Sequence, residues 1–198
     1  MISEKAVKLI MEFENDPSDY LGRPEWPGEE SGVTIGFGWD LGQTPWDQTA
    51  TAWQRHLPQD ALNALLATSG RRGEAAKGLL PLVAHIPIPY SAAEAVFREV
   101  TIPTWTLRTL RIYPQAEQLH GDCLGALVML VFNRGPAVQG PRRVEMFQIQ
   151  EELKAGKPGR VPELILGMKR LWPDNRGLQR RRDAEAKLFQ EGLLAGGE

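Results

Sequence analysis

Gly32-Val33-Thr34-Ile35-Gly36-Phe37-Gly38-Trp39-Asp40 is the stretch on which the reading of this chain turns. Val33, Ile35, Phe37 and Trp39 alternate with Thr34, Gly36, Gly38 and Asp40, the period of a strand with one apolar and one open face. Glycine inside a strand weakens it but lets a ligand or another backbone come close. An open strip flanked by the Thr34 hydroxyl and the Asp40 carboxylate suits an extended polar substrate; the same glycines equally serve a tight hairpin. A straight strand would set six residues about 20 Å apart. The chain must therefore bend near Gly36 or Gly38 if Thr34 and Asp40 are to act on one water. The run Gly36 to Gly42 lacks the third-glycine spacing of a dinucleotide-binding turn, and no helix opens there.

Upstream, Ser3 reads as an N-cap and Glu4 as a first-turn acid for a helix ending at Phe13 or Asn15. Lys5, Lys8 and Glu12 form its wet stripe. Val7, Ile10, Met11 and Glu14 fall at i, i+3, i+4 and i+7, so one carboxylate closes an apolar stripe. Loss of hydration there would raise its pKa and keep it protonated, as a general acid requires; a glutamate at a frayed, solvated helix end is the alternative. Asn15, Asp16, Pro17, Pro24, Pro27, Gly28 and Gly32 mark a loop before the strand. Beyond Pro58 the chain reads helical, over 58–68, 71–82, a third helix opened by the capping box Ser91-Ala92-Ala93-Glu94, 122–133, 141–155, 161–171 and 177–194. The helix from Asp122 to Asn133 is apolar nearly all round and belongs at the centre of a core.

These elements predict an α+β, mainly helical protein. A small β-hairpin lobe over 15–56 would stand against a larger helical lobe of 1–14 and 57–198, one domain with a cleft between its lobes. At 198 residues the chain has the length of one domain. Six tryptophans and 42% hydrophobic residues exclude disorder. Cys123 is the lone cysteine and the histidines, His56, His85 and His120, are scattered, so no disulfide, metal centre or cofactor is expected. Residues 1–60 carry 4 basic and 11 acidic side chains, 61–139 carry 7 and 5, and 140–198 carry 12 and 9. An acidic front with a mildly basic rear is a poor profile for a nucleic-acid binder. Met1 to Phe13 does not read as a signal peptide, and the apolar run Leu124 to Phe132 is far short of the ~20 residues that span a bilayer. Synthesis in the cytoplasm without membrane insertion is the expectation.

Two further groups matter. Glu25, Glu29 and Glu30 are rival carboxylates or plain solvated loop charges. Arg180-Arg181-Arg182 lie on a helix whose successive positions diverge by about 100°, so one should turn inward and need a carboxylate partner, for which Glu14 is a candidate.

The blocks Phe13-Glu14 with Gly32 to Gly38, Gly125-Ala126-Leu127-Val128 to Phe132-Asn133-Arg134-Gly135, and Trp172 with Gly177-Leu178 to Arg181-Arg182-Asp183-Ala184-Glu185 and Leu188-Phe189 resemble, in order, those of phage-type lysozymes, the muramidase endolysins. Trp26-Pro27-Gly28, Ser31 to Gly36 and Trp39-Asp40-Leu41-Gly42 are most similar to the pesticin-like branch, which includes bacteriocin and secreted-toxin lysozyme domains. The resemblance implies a lysozyme-like fold and cleavage of the β-1,4 bond between N-acetylmuramic acid and N-acetylglucosamine of peptidoglycan. It implies Glu14 as acid, Thr34 as water holder and Asp40 as base in an inverting mechanism. Phage endolysins carry the second carboxylate in the loop before the threonine, which leaves Glu30 as the alternative base. Arg181 would orient Glu14, Asn133 would fix a helix end, and Gly36 and Gly38 would line the substrate strip. Glycan strands are the expected partner of a monomer, with an immunity protein or secretion-system carrier if it is an injected effector and a holin if it is an endolysin. The site of action would be the periplasm or cell wall. A non-catalytic glycan-binding module, a lytic transglycosylase, and a helical inhibitor or scaffold are the competing readings.

Overall fold

The computed structural model describes residues 1–14 and 20–197; Asn15, Asp16 and Pro17, read above as loop, lie outside them. The described chain is mainly helical with one two-stranded antiparallel sheet, the α+β class predicted. It forms two compact units, Met1–Phe13 with Ile102–Glu198, and Glu14–Thr101. The division differs from the 15–56 lobe expected from sequence, because helices beyond the hairpin cluster with it.

In the first unit, α1 (Glu4–Glu14) begins where the Ser3 hydroxyl accepts from Ala6 N at 3.0 Å, the N-cap its sequence predicts. Val7, Ile10 and Met11 are buried, each contributing roughly 1.5–3 kcal/mol. The apolar helix α7 (Gly121–Arg134) is buried along nearly its whole length and ends where Gly135 takes φ 75°, open to glycine. Gly125 seats α1 against α7: a Cβ there would lie 2.2 Å from Ala6 Cβ. Helix α6 (Ile102–Ile112), α8 (Val144–Lys154), α9 (Val161–Gly167) and α10 (Arg176–Ala195) complete the unit. The expected 161–171 helix tightens to a 3₁₀ turn at Met168–Leu171. Cys123 is a buried free thiol donating to the Phe189 carbonyl at 3.3 Å. Burial pushes its pKa up to about 12. A Cβ on Gly192 of α10 would stand 2.7 Å from this sulfur, so α7 and α10 meet almost backbone to backbone.

In the second unit, the single strand expected from alternation is instead two, β1 (Thr34–Ile35) and β2 (Trp39–Asp40), paired antiparallel with Thr34 opposite Asp40 and Ile35 opposite Trp39. Period two continues through the turn in composition only. Gly36 at φ 58° and Gly38 at φ 74° reverse the chain, a conformation that other residues resist. Helix α2 (Trp46–Trp53) follows, unforeseen although Pro45 precedes it and Thr49, Ala52 and Trp53 share its buried face. Helices α3 (Gln59–Leu66), α4 (Gly73–Val83) and α5 (Tyr90–Val96) come next. The Ser91 capping box does not form: Pro89 occupies the N-cap position and Ser91 already lies inside α5. One π-helical turn, Phe97–Thr101, joins α5 to α6. The unit is centred on rings, with Phe37 at 5.6 Å from Tyr20, 5.2 Å from Tyr90 and 5.6 Å from Phe97. Such pairs add about 0.5–1.5 kcal/mol each beyond burial.

Candidate functional site

The hairpin brings Thr34 and Asp40 together by the bend that their cooperation requires. Asp40 is held there by its own carboxylate. Oδ1 accepts from Gly42 N at 2.7 Å and from Gly32 N and Gln43 N at 3.1 Å. Oδ2 accepts from the Gln43 side-chain amide at 2.9 Å and shares the Gly32 N–H at 3.2 Å. Gly32 and Gly42 are buried, so their N–H groups depend on this carboxylate where water does not reach. Neither glycine can be replaced freely: a Cβ on Gly32 would lie 2.4 Å from Asp40 Oδ1 and 2.2 Å from Gly42 N. Asp40 therefore closes the mouth of the hairpin, and Oδ2, tied to the exposed Gln43 amide, is the oxygen most easily released to a water.

Thr34 is buried, 5% exposed, and its hydroxyl donates to the Gly32 carbonyl at 3.3 Å. An isolated bridge pairs it with Glu25, whose N–H and carbonyl exchange bonds with Thr34 at 3.0 and 2.8 Å. Thr34, Glu25, Arg23, Tyr20 and Gly36 share a polar cavity of about 160 Å³. Glu25 is thus a second acidic residue that the fold pairs with Thr34, through backbone bonds, besides Asp40 across the sheet. From sequence it was one of three equal loop acids, because a bridge across nine residues leaves no periodic signal. Gly36 lines the cavity on one side and packs on the other, where a Cβ would come within 2.9 Å of Trp53 and 3.1 Å of Ala93. Gly38 is exposed with open space around it. The continuous strip of Thr34, Gly36, Gly38 and Asp40 on one strand face is replaced by a turn.

Glu14, the last residue of α1, is half-buried with Oε1 closed off from solvent. Glu30 is exposed, its carboxylate beside Gly73, the first residue of α4, where the helix dipole favours an anion.

The remaining predicted residues belong to the other unit. Arg181 and Arg182 of α10 are both buried, at 5% and 0% exposure, while Arg180 is exposed. Arg181 donates to the Met129 carbonyl at 3.3 Å and stands 5.8 Å over the Phe13 ring. Arg182 donates to Asn133 Oδ1 at 3.0 Å and to Glu185 Oε1 at 2.7 Å, and the same Glu185 oxygen is 3.5 Å from Arg181 Nε. Glu185 is the carboxylate that sequence reasoning passed over, though i+3 and i+4 spacing from the two arginines marked it. Burial pushes its pKa up to about 7 against the pull of Arg182 and Arg181. Asn133 ties the end of α7 to α10 through Arg182.

Among the described residues no group of three or more His, Cys, Asp or Glu could hold a metal ion, and no helix is long and apolar enough to cross a membrane. No protein-family model matches this chain, and no curated protein matches it.

Proposed function

We propose that this protein is a lysozyme-like peptidoglycan hydrolase, a muramidase cutting between N-acetylmuramic acid and N-acetylglucosamine. Three sequence blocks in family order support the reading. The observation that carries it is the pairing of Thr34 with Asp40 across a glycine turn, which puts a hydroxyl and a carboxylate six residues apart in sequence on facing strands.

In the proposed reaction Glu14 gives its proton to the glycosidic oxygen as the bond to the anomeric carbon breaks and the electron pair leaves with the departing sugar. A water attacks the opposite face of the ring and loses its proton to Asp40 Oδ2, with Thr34 holding that water. Inversion requires carboxyl groups about 6.5–9.5 Å apart, and retention nearer 5 Å. Glu30 is the alternative base. Asn133 is assigned to support Arg182, and Gly36 and Gly38 to admit the glycan at the hairpin. The biological setting that fits this chemistry is an antibacterial effector with an immunity protein, or a prophage lysin released by a holin.

One observation favours a second reading, a glycan-binding module without hydrolysis: the Asp40 carboxylate already accepts from Gly32, Gly42 and Gln43. Digestion of purified sacculi read by mass spectrometry separates the alternatives. Reducing muramic ends are expected from hydrolysis, anhydro ends from a lytic transglycosylase, and intact sacculi with bound protein from a binder. Glu14→Gln is expected to abolish lysis with the thermal midpoint nearly unchanged. Clearance of sacculi by that variant at the wild-type rate removes Glu14 as the acid.

A further inference from the structure

A second cavity, of about 340 Å³, lies wholly within the unit formed by Met1–Phe13 and Ile102–Glu198, lined by Asn133, Arg134, Arg142, Arg143, Trp172 and Leu178. Three of these six residues are arginines and none is acidic. Among the described residues no carboxylate lies within 4.0 Å of the Arg134, Arg142 or Arg143 guanidinium, although the nearby arginines do find acids: Arg182 takes Glu185 and Arg170 takes Glu145 at 2.6 Å. Arg142 makes a single 3.5 Å bond to the Leu171 carbonyl, and Arg143 a single contact to the Met146 sulfur at 3.3 Å. A guanidinium carries five N–H donors in a fixed fork, so most of the donors of both side chains are uncommitted.

Arg134 is the anchor. It is 9% exposed, donates to the Arg142 carbonyl, and lies 4.7 Å over the Trp172 ring, which Arg142 and Arg182 also approach at 5.8 Å. Desolvation, and after it the neighbouring Arg143 and Arg182, push its pKa down to about 10 against the opposing pull of the buried Glu145 carboxylate.

We propose that this cavity is a binding site for an oxyanion, a phosphoryl or carboxylate group, presented on a small molecule or polymer end. The anion would supply the charge that Arg142 and Arg143 lack and take paired N–H donors from both, the geometry in which arginine binds such groups best. The cavity volume falls at the lower end of the ~300–1,000 Å³ range of small-molecule sites, leaving room for more of the ligand beside the half-buried Trp172. The site uses none of Glu14, Thr34 or Asp40 and shares only Asn133 with the residues assigned to the muramidase reading.

The test is calorimetric titration of the full chain with inorganic phosphate and, separately, with acetate, at ionic strength held constant with chloride. Saturable one-to-one binding of at least one anion is expected. Arg142→Gln/Arg143→Gln, at two positions that are exposed or half-buried, should weaken it by at least about tenfold, one bidentate contact's worth, with an unchanged circular-dichroism melt. Phosphate bound more tightly than acetate supports a phosphoryl ligand, and acetate bound as tightly supports a carboxylate. No saturable binding of either anion, or equal binding by the double variant, overturns the site.

Discussion

Replacing Asp40 by alanine separates the structural duty of this carboxylate from any chemical one. The substitution removes the acceptor of three backbone N–H groups and one side-chain amide. Gln43 is exposed and recovers water, but Gly32 and Gly42 are buried. A hydrogen bond to a charged group contributes about 1.5–3 kcal/mol, and a buried donor left without one costs a similar amount. Two such donors give a loss of about 3–6 kcal/mol, a fall of roughly 6–24 °C in the melting midpoint at this size. Asp40→Asn keeps one oxygen for Gly42 and Gly32 and loses the charge, which roughly halves each bond; about 1–2 kcal/mol is expected. Urea and thermal unfolding followed by circular dichroism should therefore rank wild type above Asn above Ala. Asn cannot take up a proton, so if Asp40 is the base, Asp40→Asn also loses about 10²–10⁴-fold in hydrolysis, far beyond its modest effect on folding. An alanine variant melting within about 2 °C of wild type refutes the hairpin-closing role.

Two other perturbations follow from packing and charge. Gly125→Ala would ordinarily strengthen a helix by about 1 kcal/mol, but its Cβ falls 2.2 Å from Ala6 Cβ where ordinary contact begins at 3.4 Å. Net destabilisation of about 1–3 kcal/mol is expected, with Ala6→Gly restoring part of it in the double variant; a stabilised single variant in urea titration would show that α1 is not seated on this glycine. For Glu185, burial raises the folded pKa to about 7 from an ordinary 4.5. The folded state then holds a proton that the unfolded state releases, so this contribution is full below about pH 4.5 and is lost as pH rises through 7. Relative to Glu185→Gln, wild type should lose on the order of 1–3 kcal/mol across that interval; parallel urea midpoints for the two proteins from pH 4.5 to 7.5 would contradict it.

What the sequence disclosed was local and periodic. The Ser3 cap, the Val7-Ile10-Met11 stripe and the apolar α7 are each written within a few turns of helix, and all three formed. The β hairpin was half legible. Alternation marked extended chain, yet the turn depends on the φ of Gly36 and Gly38, which a residue-by-residue pattern reports only as two permissive positions. Glu25 and Asp40 owe their places to partners nine and eight residues away, Thr34 and Gly32. Their neighbour Glu30 has the same composition signal and ends up beside α4. Arg182 was seen as one of three arginines competing for an acid, but the choice of Glu185 depends on which face of α10 the apolar α7 covers. The ring cluster around Phe37 was likewise invisible, since Tyr20, Phe37 and the Tyr90–Phe97 pair come from three separate stretches of the chain.

The Cys123 thiol has a practical use that follows from its surroundings. With its sulfur under Gly192 and its proton on the Phe189 carbonyl, an alkylating reagent can reach it only when α10 lifts from α7. Because the thiolate is scarce near neutral pH, labelling at that single sulfur times the breathing of the helical core. The chain thus carries a built-in clock for that opening, readable by the mass the reagent adds.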